Sequence, residues 1–138
     1  MKKIAVVGVP GGWSTELLAD VAKEKTGFRC LVDLGDVAID LDKGQVFNEE
    51  VVLNDMDAIV IKKAGPAYSP QLLDRLEALR YLSEKGVPIF SDPLKIIRVL
   101  DRMTCTVTLR AGGIPMPPTA ITENVTLAHN FVKDYGRA

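Results

Sequence analysis

Apolar residues along this chain fall into two kinds of run. Residues 3–9 are a nearly continuous apolar stretch, the pattern of a strand buried on both faces, and "DAIVIKKAG", 57–65, gives a further buried strand. Between and after them the apolar positions recur at three- and four-residue intervals. Residues 14–25 read as a helix, with Ser14 or Thr15 able to cap it, Glu16 in its first turn and Gly27 as its stop. "FRCLVDL", 28–34, is a second strand. Alternation on either side of Asp42-Lys43-Gly44 predicts a small hairpin. Ser69-Pro70 opens another helix, whose Leu72, Leu73, Leu76, Leu79 and Leu82 share one face, and Gly86 ends it. "VPIF" is a short last strand.

Strands separated by helices imply right-handed crossovers and a parallel sheet covered on both faces. The expected class is therefore α/β, with about four parallel strands in the order 2-1-3-4. The order reverses between the first and third strands, and ligands bind at such reversals, beyond the carboxyl ends of the strands. Two glycine-containing loops leave the sheet there, "GVPGGWST" (8–15) and "KKAGPAYS" (62–69), each running toward a helix N-terminus.

After residue 92 the texture changes. Ile96, Leu100, Met103 and Val107 have helical spacing, while Thr104, Thr106 and Thr108 alternate with Cys105, Val107 and Leu109 as in a strand. Gly112-Gly113 ends the element either way. "IPMPPT" must be extended, because a residue before proline is pushed out of the helical region. "TAITE" can be a strand, and Asn124 can cap a last helix carrying Ala128, Phe131, Val132 and Tyr135, with Gly136 as its stop. This divides the chain into an α/β domain, 1–92, and a following segment, 93–138.

Composition narrows the function classes. The 138 residues carry a net charge of −1, which advertises neither a nucleic-acid nor a membrane partner. The N-terminal "MKKIAVVGVPGG" breaks at Pro10 and Gly11 and reads as a first strand rather than a signal peptide. Cys30 and Cys105 are the only cysteines and His129 the only histidine, so no metal-ligand spacing exists. Two distant cysteines without an export signal suggest a reducing compartment, the cytosol.

The first loop invites a phosphate-binding reading. Its glycines, Gly8, Gly11 and Gly12, do not have the GxGxxG spacing of a dinucleotide site, and Pro10 removes a backbone donor. Asp33, at the end of the second strand, stands where a ribose-binding acid belongs. The preferred reading is a turn that lines a ligand crevice, with Gly11, Gly12, Trp13 and Ser14 as binding residues. Trp13 either plugs the core or roofs the crevice, the core role being favoured. Lys62 and Lys63 either reach solvent or meet a carboxylate or phosphate, with Tyr68 and Ser69 beside them. Arg98, Asp101 and Arg102 read by residue type as a solvated face, and no nucleophile or general base is identifiable.

"IRVLDRMTCTVTLRAGGIPMPPTAITEN" resembles the segment of RimK-like ATP-grasp ligases that leads from their first domain into the nucleotide-binding part. That family has Asp-Lys, a helix with Leu, Gly-Ile, then Pro-x-Thr. Here those positions are Asp101-Arg102, Leu109, Gly113-Ile114 and Pro117-Pro118-Thr119. "DAIVIKKAG" resembles the family's strand ending in a basic residue, any residue and glycine, with Lys63 and Gly65 in place. "GGWSTELLAD" and "CTVTLRAGGIPMPPT" resemble the GAK-system branch of that family. The resemblance spans nearly the whole chain, is strongest over 90–122, and favours helix for 94–111.

The resemblance implies a small parallel α/β pre-ATP-grasp domain that helps hold the acceptor substrate, with Lys62, Lys63 and Gly65 among its contacts and Arg102 toward the nucleotide. It implies, for full-length members, ATP and magnesium, an acylphosphate intermediate and attack by an amine to form an amide or peptide bond. Arg102 departs from the family's lysine, which keeps charge but changes geometry. The family's ATP-contacting strands, glycine-rich loop and magnesium carboxylates lie beyond position 138, so the expectation is a truncated domain, itself inactive, without a bound cofactor. A second reading is a free-standing Rossmann-type nucleotide-binding module. A third is an interaction domain whose apolar face over 119–135 makes a homodimer.

Overall fold

A computed structural model describes residues 1–136. The chain forms two compact units, Met1–Ile97 and Arg98–Ala138. The first holds a four-stranded sheet of β1 (Ile4–Val7), β2 (Leu31–Val32), β5 (Ala58–Ile61) and β6 (Ile89–Phe90) in the order β2-β1-β5-β6. Every pairing in it is parallel, with Val6 opposite Leu31 and Val60, and Ile59 opposite Ile89. This is the class and strand order expected from the apolar runs. A separate antiparallel hairpin, β3 (Ala38–Asp40) and β4 (Gln45–Phe47), turns at the expected Asp-Lys-Gly.

The sheet is held from both ends. Its N-terminal edge is tied by Asp57, whose carboxylate accepts from Lys2 Nζ and from the Lys3 amide at 2.9 and 2.7 Å. The Lys2 ammonium and the Lys3 N–H hold that carboxyl below the ordinary aspartate range. Ala5, Val6, Val7, Val32 and Ile59 are buried in the sheet. Helix α1 (Trp13–Thr26) crosses from β1 to β2, and α2 (Gln71–Glu84) from β5 to β6. Because these two right-handed crossovers step in opposite directions along the sheet, they cover opposite faces. Leu72, Leu76, Leu79 and Leu82 of α2 are buried as the leucine spacing predicted, while Leu73 stays about half exposed at the edge of that stripe.

Four elements differ from the reading of the sequence. The ladder of β2 is confined to Leu31–Val32, because Asp33 bends the chain into a short 3-10 turn over Leu34–Asp36. Helix α1 has Gly12 as its N-cap and no side-chain cap, so neither Ser14 nor Thr15 serves. The helix expected over 94–111 is two helices, α3 (Pro93–Leu100) and α4 (Arg102–Ala111). Asp101 is extended (ψ 96°), and its side chain accepts from the Thr104 amide, an N-cap that starts α4 afresh. Residues 119–123, offered as a strand, form none. Asn124 caps α5 (Val125–Tyr135) by accepting from the Leu127 amide, and Gly136 ends it at φ +73°.

Candidate functional site

The strands end together where the order reverses. After β1 the chain leaves through α1 toward β2, and after β5 it leaves through α2 toward β6, so a crevice opens between the two exits. The exits are joined at their roots. The carbonyl of Val7 accepts from the amides of both Lys62 and Lys63, at 2.8 and 3.2 Å.

The first exit is packed close. Gly8 is buried, and a Cβ there would stand 2.3 Å from Thr15 Cγ2, so only glycine lets α1 approach β1 this closely. Thr15 and Ala19, one helical turn apart, form the buried stripe of α1. Trp13 precedes Thr15 by two residues, about 200° around the helix, and so faces away. Its side chain is 80% exposed, which overturns the core role.

The amide of Gly11 is the donor a phosphate would want, and it is already used. It donates to Glu16 Oε1 at 2.7 Å, while Arg29 donates through Nη2 to Glu16 Oε2 at 2.6 Å and through Nε to Asp20 Oδ1 at 2.8 Å. The Gly11 N–H, with Arg29 behind it, holds the Glu16 carboxyl below its ordinary range. A carboxylate thus occupies the positive end of the α1 dipole, and an incoming phosphate would meet a charge of its own sign. Asp33 likewise spends Oδ1 on the Gly35 amide at 2.8 Å to shape its own turn. The dinucleotide reading loses the Gly11 amide as an anchor and keeps only the second oxygen of Asp33.

The second exit is open. Lys62 and Lys63 are exposed, and among the described residues neither forms an ion pair. Tyr68 is exposed beyond them, while Gly65 and Ser69 are half-buried. The structure therefore brings the Gly11–Ser14 loop and the Lys62–Gly65 loop to one end of the sheet. Arg102 belongs to the other unit, where it is exposed as the first residue of α4.

One residue the sequence reading passed over is Arg75 of α2. Gly65 and Gly35 both pack against it: a Cβ at 65 would stand 2.8 Å from Nη1 and one at 35 would stand 3.4 Å from Nη2. Its guanidinium thus lies between the turn after β2 and the loop after β5. The available signal was a missing partner. Arg80, on the same helix, has Glu77 and Glu84 at helical spacing and pairs with both. Arg75 has Gln71, Leu72, Ala78 and Leu79 at the corresponding positions, with no acid among them.

Among the described residues no cluster of three or more His, Cys, Asp or Glu could hold a metal ion. Cys30 is a buried free thiol whose titration burial pushes upward, which leaves it inert. Among the described residues no helix is long and apolar enough to cross a membrane.

No protein-family model matches the chain. It is 26% identical over 145 residues to the tetrahydromethanopterin:alpha-L-glutamate ligase of Methanosarcina acetivorans, a match covering all of this chain and 45% of that protein. Among solved structures it superposes on the ATP-grasp ligase PsnB complexed with a minimal precursor, with a TM-score of 0.71 at 14% identity. That match covers 99% of this chain and 51% of PsnB. PsnB complexed with a phosphomimetic variant of that precursor, Mg and ADP gives a TM-score of 0.70, covering 98% of this chain and 52% of PsnB. The chain thus spans about half the length of the relatives it matches, and its fold is that of the N-terminal part of ATP-grasp ligases.

Proposed function

We propose that this chain, whose sequence and fold resemble the first half of a RimK-like ATP-grasp ligase, positions the acceptor substrate of an enzyme that joins a carboxylate to an amine at the expense of ATP. The observation that carries this reading is the pairing of two loops at the reversal in strand order. One loop presents the exposed Trp13 ring, and the other presents the exposed ammonium groups of Lys62 and Lys63. Two cations without acidic partners attract an acidic ligand into the crevice, and an exposed indole supplies a flat apolar wall for it.

The chemistry assigned to these residues is binding and orientation. In the ligase reading, ATP activates a carboxylate as an acylphosphate and the amine displaces the phosphate. The described residues do not fit ATP and magnesium: they hold no acidic cluster for the ion, and the Gly11 amide is committed to Glu16. No step of phosphoryl transfer is therefore assigned to this chain, since that chemistry rests on positioned metal and phosphate contacts.

Substrate-dependent ADP release by the whole gene product, screened against amino acid and peptide acceptors, tests the reading. With an active acceptor in hand, replacing Lys62 and Lys63 together by Met should raise KM about tenfold or more and leave kcat nearly unchanged, the signature of lost ground-state binding. An unchanged KM, or no turnover with any acceptor, would sink it. Titration with NAD, AMP and ATP addresses the Rossmann alternative: tight NAD binding abolished by Asp33→Asn would favour that module instead.

A further inference from the structure

We propose that Arg75 is a carboxylate receptor, a second recognition point at the same end of the sheet that takes one acidic group of the acceptor. The inference rests on the acceptor-positioning reading above and adds to it a residue, a geometry and a ligand class.

Arg75 ends in a planar, positively charged fork of five N–H donors with no acceptor. It is half-buried, and among the described residues no carboxylate lies within ion-pair distance and no hydrogen bond from the guanidinium is formed. Asp33 Oδ1 stands close by, since it and Nη2 both lie within 3.4 Å of where a Gly35 Cβ would be, but it accepts from the Gly35 amide and makes no ion pair with the fork. The guanidinium donors are left without a protein acceptor, which is costly in a partly desolvated group unless something else completes them. Arg80, ten ångströms of helix or less away by residue spacing, shows the ordinary alternative, a guanidinium shared between two glutamates.

The surroundings leave room for the fork between two backbone turns. Gly65 and Gly35 lie against its two terminal nitrogens, and neither has the positive φ that would by itself call for glycine. A methyl group at 65 would displace Nη1 from its present place, a shift the flexible end of an arginine can make. Beside the guanidinium is a cavity of about 270 Å³, walled by Val37, Ile39 and Ala78 and bordered by Gly35, Asp74 and Arg75. Whole small-molecule sites run to roughly 300–1,000 Å³, so this one suits the end of a ligand rather than a nucleotide. A planar two-oxygen group matches the planar fork. Asp74 on the rim and Asp33 beside Gly35 set the charge: they disfavour a dianion such as phosphate more than a single carboxylate.

The test is an NMR titration of the 138-residue chain at constant ionic strength, with glutarate as the carboxylate probe and inorganic phosphate as the contrast. Three reporters matter: the Gly35 and Gly65 amides and the Arg75 Nε–H. Glutarate should shift them saturably, and phosphate should do so more weakly. Arg75→Met keeps the aliphatic stem and removes the fork, so it should leave the melting transition in place and weaken glutarate at least about tenfold. Gly65→Ala should weaken glutarate through crowding of Nη1 and have no further effect in the Arg75→Met background. Glutarate shifts unchanged in Arg75→Met, or absent at Gly35 and Gly65, overturn the proposal. Phosphate binding as tightly as glutarate overturns the choice of carboxylate. The Trp13 indole and the Lys62 and Lys63 amides report on the crevice separately. Shifts confined to them would defeat Arg75 and spare the acceptor-positioning reading; their silence while Gly35 and Gly65 respond would do the reverse.

Discussion

Helix α2 places Leu76, Leu79 and Leu82 wholly out of water, while α5 carries Leu127, Phe131 and Val132 at equally regular spacing and buries none of them fully. The contrast extends to the two units. Among the described residues, every buried apolar side chain, from Ala5 to Val87, lies within Met1–Ile97. Over 98–136, Met103, Val107 and Ile121 instead border an open groove of about 420 Å³, and Phe131 stacks on Tyr135 along its own helix with ring centroids 4.6 Å apart. Periodicity makes an amphipathic helix; it does not make a core. Burial needs a second apolar surface opposite, which the sheet supplies to α2. A segment near the roughly 40-residue lower limit for independent folding has little surface of its own to offer.

The largest effect that would sharpen this difference is a pair of truncations. Leu76→Ala removes a fully buried side chain and should cost about 2–5 kcal/mol in urea unfolding followed by far-ultraviolet circular dichroism. Leu127→Ala removes one that is 59% exposed and should stay within about 0.5 kcal/mol. Equal losses would mean that the two regions share one cooperative core.

The contrast also explains what could be read in advance. The four-stranded order was legible because "IAVV" and "AIVI" are apolar without interruption, which is the demand of a strand covered twice. The glycine loop was legible as a turn, but its occupancy by Glu16 was not. That contact joins Gly11 to a residue five positions on, held in turn by Arg29 thirteen positions further, and no local periodicity encodes it. Trp13 was misplaced because size argues for burial, while the close approach of α1 to Gly8 reserves the inner face for Thr15 and Ala19. Arg75 was hidden by the abundance of charge on α2 and emerges only when each charge is asked for its partner.

A smaller effect follows from acid. Glu16 and Asp57 both titrate below their ordinary range in the folded sheet domain, through Gly11 N–H and Arg29 in one case and through Lys2 and the Lys3 N–H in the other. A depressed folded pKa means that the unfolded chain binds the proton first. The stabilisation is complete above the unfolded values, roughly pH 4 to 4.5, and is lost as pH falls through the lower folded ones. The melting temperature of the sheet domain should therefore decline from about pH 5 downward. Glu16→Gln should flatten part of that decline by lowering the melting temperature at neutral pH, where the charged carboxylate stabilises, and leaving it nearly unchanged at the acid end. A profile identical to wild type would show that the Gly11–Glu16–Arg29 chain contributes nothing measurable.

The smallest effect lies on the other side of the comparison. Asp101 separates α3 from α4 by accepting from the Thr104 amide at 3.1 Å and the Thr104 hydroxyl at 2.6 Å, contacts that hold its carboxyl below the ordinary range. Replacing a capping aspartate by alanine typically costs about 1 kcal/mol of helix stability. In a helix that buries no residue, that cost has no core to spread through. Asp101→Ala should therefore speed amide hydrogen exchange over the first turns of α4 by about fivefold, the factor that 1 kcal/mol represents, and leave exchange in β1 and β5 untouched. Removing the cap also removes what interrupts the helix. If α3 and α4 then fused, exchange around position 101 would slow rather than quicken, and the break would be a local choice made by one side chain.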